Sequence, residues 1–224
     1  MVICDKYNFT FLRIPKNASS SLAEFFVRNF CDANDKYTEV NDCGIRNHNV
    51  PPQLIQKYRD KYRFIHLTLQ ELIDNKIITR EDAYQKQNIG VLRNPFDRQL
   101  SLYFFLKRRQ NISPSEFRNL FSNGCHASDP SNRILQTDYV SIDSVDVADW
   151  WLYETLDKKA SKFIEEKNVS TSKNLQRYKS NMKPKKHDLF DQYYDQKTID
   201  AVKKYYEKDF EKYYELAGKK YETV

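Results

Sequence analysis

The stretch FTFLRIPKNASSSLAEFF, residues 9–26, decides how the rest of the chain is read. Residues 7–14 are mostly apolar and β-prone, which predicts a buried strand. Leu22, Phe25, Phe26 and Phe30 recur at helical spacing, so a helix follows, with Ser19 or Ser20 as its N-cap. Between strand and helix stand Pro15, Lys16, Asn17, Ala18 and three consecutive serines. A strand-to-helix corner needs only a tight turn, and a lysine with a row of hydroxyls exceeds that need. A helix N-terminus presents backbone N–H groups without intrahelical acceptors and the positive end of the helix dipole, so it favours an anion such as phosphate. Lys16 adds a mobile cation, and Ser19, Ser20 and Ser21 add neutral donors. The corner has the logic of a glycine-rich phosphate loop without its sequence: G-x-x-x-x-G-K-[ST] is absent, and Lys16 precedes the serines. Taken alone, the stretch is equally well explained as a capped helix with a surface lysine.

Further along the chain, YRFIHL (62–67) reads as a short strand, TLQELIDN as a helix and NIGVL (88–92) as a third strand. The segment VLRNPFDRQLSLY (91–103) is a second corner, with Arg93 at the end of a strand, Pro95 opening an amphipathic helix and Ser101 two turns into it. The planar fork of Arg93 suits bidentate phosphate contact, and Ser101 can add a hydroxyl. DWWLYETL is read as strand then helix, and residues 171–188 as a basic loop. One long final helix carries Ile199, Val202, Tyr206, Phe210, Tyr213 and Ala217 as a stripe. Strands alternating with helices predict an α/β fold, a parallel sheet flanked by helices, with ligands gathered at the carboxyl ends of the strands.

The 224 residues are enough for one well-buried domain, and no Pro/Gly/Ser-rich linker divides them, so a single domain over 1–224 is expected. The 40% hydrophobic and 14% aromatic contents exclude a disordered chain. No apolar run reaches the ~20 residues of a membrane span, and no signal-peptide pattern opens the sequence. A cytoplasmic location is therefore expected, for a bacterial or viral protein or an excised domain of a longer one. The net charge of +6 points to an anionic ligand without choosing among nucleic acid, glycan and phosphorylated cofactor. Neither a recognition helix nor an aromatic sheet motif is evident, so nucleic acid is not the expected partner. Cys4, Cys31, Cys43 and Cys125 show no C-x-x-C pair or zinc-ligand spacing and are read as reduced fillers, with no metal expected.

Together, RIPKNASSSL and VLRNPFDRQLSLY resemble the 5′-phosphosulfate loop and the 3′-phosphate motif of sulfotransferases, nearest to the carbohydrate branch that contains the heparan sulfate 2-O-sulfotransferases and small bacterial relatives. HLTLQEL, LQTDYV, WWLYETL and FDQYYDQKTIDAVKKYYEKDFEKY extend the resemblance, more weakly, over most of the chain. The resemblance implies a P-loop-NTPase-like sulfotransferase fold and the donor 3′-phosphoadenosine 5′-phosphosulfate (PAPS), which leaves as 3′-phosphoadenosine 5′-phosphate (PAP). It implies that Lys16 contacts the bridging oxygen and the 5′-phosphate. Asn17, Ala18, Ser19, Ser20 and Ser21 would line that phosphate, chiefly through backbone N–H groups, and Arg93 and Ser101 would hold the 3′-phosphate.

The acceptor, a hydroxyl on a glycan or small molecule, needs a base. Of the four histidines, His66 is the first candidate and His48 the second, with Glu71 and Glu39 in reserve. Lys183 and Lys185 of the basic loop are candidate cofactor contacts, by analogy with the segment that folds over the cofactor in the family. The acceptor pocket is expected from loops 33–60 and 110–135. Two alternatives stay open: a catalytically inactive PAP- or anion-binding module, and a kinase-like nucleotide-dependent phosphotransferase.

Overall fold

The computed structural model describes residues 1–41, 44–58, 64–106, 113–122, 133–170, 175 and 190–219. In chain order the elements are β1 (Val2–Cys4), β2 (Phe9–Phe11), α1 (Ser19–Phe30), β3 (Lys36–Asn41), β4 (Gly44–His48) and α2 (Pro52–Lys57). Next come α3 (Leu69–Asp74), α4 (Arg80–Gln85), β5 (Gln87–Leu92), α5 (Pro95–Leu106) and α6 (Pro114–Ser122). A 3-10 turn at Thr137–Val140 leads into β6 (Ser141–Ile142), β7 (Val145–Asp146), β8 (Ala148–Leu152) and α7 (Leu156–Glu166). The chain continues with α8 (Phe190–Tyr193), α9 (Gln196–Tyr205) and α10 (Glu207–Leu216). These elements fall into two compact units, Met1–Leu92 with Gln136–Tyr178, and Arg93–Leu135 with Lys179–Val224.

The first unit is α/β. Its six-stranded sheet has the order β4-β3-β1-β2-β5-β8. The β2–β5 and β5–β8 pairs are parallel, as the alternation of strands and helices predicts, while β1–β2, β1–β3 and β3–β4 are antiparallel. The antiparallel half was hidden in the sequence because β1 has only three residues, and a turn closed by Asn8 N–H to Asp5 C=O (3.2 Å) reverses the chain between β1 and β2, just where the predicted strand begins. Asn8 sits at φ 53°, a left-handed conformation that Asn tolerates better than most residues. The β3–β4 hairpin falls within residues 33–60, where the sequence predicts a loop. The expected strand at 62–67 does not form: Phe64 and Ile65 are helical and His66 is in a turn.

Alternation along the strands sets the core. Phe9, Phe11, Ile89, Val91 and Trp151 face α1 and α7, where Phe26 packs on Phe9 and Phe11 with ring centroids 5.1 and 4.9 Å apart. On the opposite face, Asn88 Nδ2 donates to Ala83 C=O of α4 (2.6 Å), and Gly90 lies under Trp150 and Val140. A Cβ at Gly90 would come within 2.6 Å of Trp150 Cζ3 and 2.8 Å of Val140 Cγ2. Gly90→Ala is therefore expected to destabilise the fold by ~1–3 kcal/mol in denaturant unfolding; an unchanged midpoint would contradict this packing. Trp150 and Trp151 are both buried and donate their indole N–H groups to Asp146 and Asp149 respectively.

The second unit is helical among its described residues, with an aromatic core. Tyr103 and Phe104 of α5, Phe117 and Phe121 of α6, Tyr193, and Tyr206 and Phe210 near the end of the chain pack together. The expected final helix is two, α9 and α10, broken at Tyr206. The stripe survives the break, with Val202, Tyr206 and Phe210 fully buried. No helix among the described residues is long and apolar enough to cross a membrane.

Candidate active site

The first corner lies at the carboxyl end of β2, beside its parallel neighbour β5. Leu12 N–H donates to Ile89 C=O (3.0 Å), extending the β2–β5 ladder, and the chain then turns through Pro15–Ala18 into α1. Lys16 and Ala18 both adopt left-handed backbone angles, φ 68° and φ 58°. Each costs a non-glycine residue on the order of 1–2 kcal/mol. Left-handed angles at alternate residues are the backbone pattern of an anion-binding nest, and here the Asn17 N–H donates within the turn to Ile14 C=O (3.4 Å). Glycine ordinarily occupies such positions, and this chain makes the turn without one.

The N-cap of α1 is Ala18, not a serine, and no side chain caps the helix. The first intrahelical bond runs from Leu22 N–H to Ala18 C=O (3.0 Å), which leaves the Ser19 and Ser20 N–H groups ahead of the ladder. Side-chain caps are present on α3, α4 and α9, while α2, α7 and α10 lack one as α1 does. Thr68 with Glu71 and Thr79 with Asp82 form complete capping boxes on α3 and α4, and Asp195 caps α9. Ser19 and Ser21 are buried, whereas Lys16 and Ser20 are half-exposed.

Asn17 shapes the corner from behind. Its side chain is 1% exposed, and Nδ2 donates to Val91 C=O (2.6 Å) and to Gln136 Oε1 (2.5 Å). These bonds tie the loop to the carboxyl end of β5 and direct the Asn17 side chain into the protein. Arg13, which sequence reasoning passed over, is 1% exposed and donates from Nη2 to Ser20 Oγ (3.4 Å). Burial lowers its pKa to about 10, so it still carries a positive charge behind the serines at neutral pH. The available signal was a single arginine inside the apolar run FLRIP.

His66 is held on the same loop. Its Nδ1 pairs with the backbone carbonyl of Arg13, three residues ahead of Lys16. A carbonyl can only accept, so Nδ1 carries the proton and the basic lone pair is on Nε2. His48 is not brought to this corner. It ends β4 in the row Phe11–Val2–Tyr37–His48, three strands from β2, and stacks on Tyr37 with ring centroids 4.2 Å apart. At ~4.8 Å per strand that is roughly 14 Å from the β2 position. Of the reserves, Glu71 is engaged in the capping box of α3, its Oε2 accepting from Thr68 N–H (2.8 Å), and the Glu39 side chain falls outside the described residues.

The second corner belongs to the helical unit. Arg93 follows directly on the last residue of β5 and is 4% exposed. Asn94 Oδ1 accepts from Phe96 N–H (3.0 Å) and Pro95 opens α5, the expected Asn–Pro helix start. Ser101 sits half-buried on α5. Tyr194 donates its hydroxyl to Phe96 C=O (2.7 Å), and its pKa is raised, chiefly by burial and less by Asp97 and Tyr206, with the nearby Arg93 charge opposing the rise. Arg98, on α5, is a further buried guanidinium. Burial raises Tyr206 to about 12, and the Arg98 charge works against that rise. Lys183 and Lys185 lie outside the described residues.

The sulfotransferase family model matches residues 1–215. The chain belongs to the sulfotransferase family. Membership makes it a transferase whose chemistry is sulfuryl transfer to an acceptor hydroxyl, and both corners lie inside the matched range. No curated protein and no solved structure matches the chain.

Proposed function

We propose that this sulfotransferase moves the sulfuryl group of PAPS to a hydroxyl of a carbohydrate, without a metal. One observation carries the reading beyond the family: the left-handed, uncapped corner at Lys16–Ser21, at the carboxyl end of the parallel strands. In this reading Lys16 and the first backbone N–H groups of α1 hold the 5′-phosphosulfate. Asn17 acts by fixing the loop on Val91 and Gln136, and Arg13 places a buried positive charge behind Ser20. Arg93 and Ser101 take the 3′-phosphate.

The reaction is an in-line displacement. The acceptor oxygen bonds to sulfur as the bond from sulfur to the 5′-phosphate oxygen breaks, and the acceptor proton passes to Nε2 of His66. PAP departs with the bonding electrons, and Lys16 meets the charge that grows on its oxygen. The acceptor is assigned to the carbohydrate class on sequence resemblance alone.

Calorimetric titration with PAP in the presence of chelator tests the reading. One equivalent should bind. Arg93→Ala should weaken PAP roughly 10- to 100-fold, as expected for a lost charged hydrogen bond, and adenosine 5′-phosphosulfate much less, because it lacks the 3′-phosphate. Equal weakening of both ligands would remove the division of labour between Lys16 and Arg93. Failure of wild type to bind PAP, with ATP binding in magnesium, would favour the phosphotransferase instead. PAP binding with no turnover of any acceptor would favour the inactive module.

A further inference from the structure

Cys4, Cys31 and Asp35 come from three separate segments of the first unit: the last residue of β1, the residue that closes α1, and the turn before β3. Both cysteines are free thiols. The two sulfurs and a carboxylate oxygen of Asp35 lie within 4.8 Å of one another. Cys4 and Asp35 are buried and Cys31 is half-buried, so solvent reaches the cluster from the Cys31 side.

The carboxylate is fixed from two directions. Asp35 Oδ1 accepts from Asp5 N–H (2.8 Å) and Oδ2 from Asp32 N–H (2.9 Å), and each oxygen retains a further acceptor position. Cys4 Sγ lies 3.5 Å from Phe30 C=O, to which its thiol donates. The surroundings oppose a thiolate: hydrogen bonding to Cys4, burial, and the charges of Cys4, Asp35 and Asp32 all raise the Cys31 thiol. A divalent cation would reverse the sign of that environment, because the same carboxylate that repels a bare thiolate becomes a ligand beside it.

We propose that Cys4, Cys31 and Asp35 form a binding site for a thiophilic divalent metal ion, with zinc as the best match. Two thiolates and one carboxylate are a donor set suited to a soft or borderline cation, and a water on the Cys31 side completes four-coordination. Each thiol releases its proton to solvent as its sulfur binds the metal, so two protons leave per ion. With sulfur at ~2.3 Å and carboxylate oxygen at ~2.0–2.2 Å from zinc, the cluster needs to contract by about an ångström. The site is at the opposite end of α1 from Lys16; a helix of this length measures ~18 Å. The metal therefore clamps the far end of α1 to β1 and takes no part in transfer, so the inference stands apart from the donor and acceptor proposed above.

Titration of the reduced full-length chain with zinc, in competition with a chromophoric chelator, and separately with cadmium, tests the site. One equivalent should bind, and cadmium should give a thiolate charge-transfer band in the ultraviolet. Cys31→Ser should weaken binding at least ~10²-fold and remove most of the band, and Asp35→Asn should weaken it at least ~10-fold. The double variant C43S/C125S should bind like wild type, since the proposed ligands are Cys4, Cys31 and Asp35. Cys4 is wholly buried and its replacement risks misfolding, so alkylation of Cys31 in wild type is the second readout. Zinc should protect Cys31 from iodoacetamide, as followed by mass spectrometry. Undiminished affinity in Cys31→Ser, or equal alkylation with and without zinc, would overturn the proposal. So would oxidation to a Cys4–Cys31 disulfide by oxidised glutathione at the same rate in both conditions.

Discussion

Lys16→Ala is expected to lower the turnover of PAPS by ~10²–10³, a loss of ~3–4 kcal/mol of transition-state stabilisation, by analogy with the removal of one oxyanion donor. The reason is differential: the leaving oxygen carries more charge in the transition state than in bound donor, so kcat falls more than affinity for PAP. The variant also tests the backbone. Lys16 sits at φ 68°, and alanine meets the same steric penalty there as lysine, so stability should change little while transfer collapses. Rapid-quench measurement of sulfuryl transfer, with a thermal melt as control, separates the two effects. Near wild-type transfer would remove Lys16 from the leaving-group role.

The second large effect is at His66. Replacing a general base typically costs ~10²–10⁴ in rate. Because Nδ1 of His66 also anchors the turn to Arg13 C=O, alanine would confound the base with the anchor. His66→Asn keeps an N–H donor near the Nδ1 position and lacks the Nε2 base. It should therefore fold normally and lose ~10²-fold or more in kcat. In wild type, activity should rise with pH through the range in which imidazole loses its proton, because only the neutral ring accepts the acceptor's proton, and that ascending limb should vanish in the variant. A variant that keeps both the rate and the limb would reduce His66 to a structural anchor. His48, stacked on Tyr37 at the sheet edge, serves as the contrast: its replacement should leave the pH profile unchanged.

What could be read without coordinates was the part written in periodicity and in helix-start chemistry. The β5 strand, the opening of α5 at Pro95 and the helix in TLQELIDN are local signals, and the structure places each where its residues indicate. The antiparallel half of the sheet was illegible for physical reasons. Val2–Cys4 is too short to show alternation, and the reversal at Asp5–Asn8 depends on a left-handed Asn and not on a glycine. RFIHL carries a strand's composition, yet its place is set by the bond between His66 and the loop at Arg13, a contact of long sequence separation that no window can register. The same holds at the corner itself. Lys16 and the serines pointed to an anion site as one of two readings, while Arg13 behind Ser20 and Gln136 beneath Asn17 became visible only once β2, β5 and the segment after Leu135 were side by side. Ala18 as the cap was unexpected because an uncapped helix start is locally unfavourable. Such local disagreement, in a turn that also holds Lys16 and Ala18 at left-handed angles, is where a functional constraint is expected to appear.

The most direct test of the account is transfer of labelled sulfate from PAPS to a pool of glycans, in buffer containing a chelator, by the wild-type chain and by Lys16→Ala. The account predicts a labelled carbohydrate product and stoichiometric PAP from the wild type, undiminished by the chelator, and a rate lower by at least ~10²-fold in the variant. Absence of labelled product from the wild type with any hydroxyl acceptor, or a variant as fast as the wild type, would contradict it.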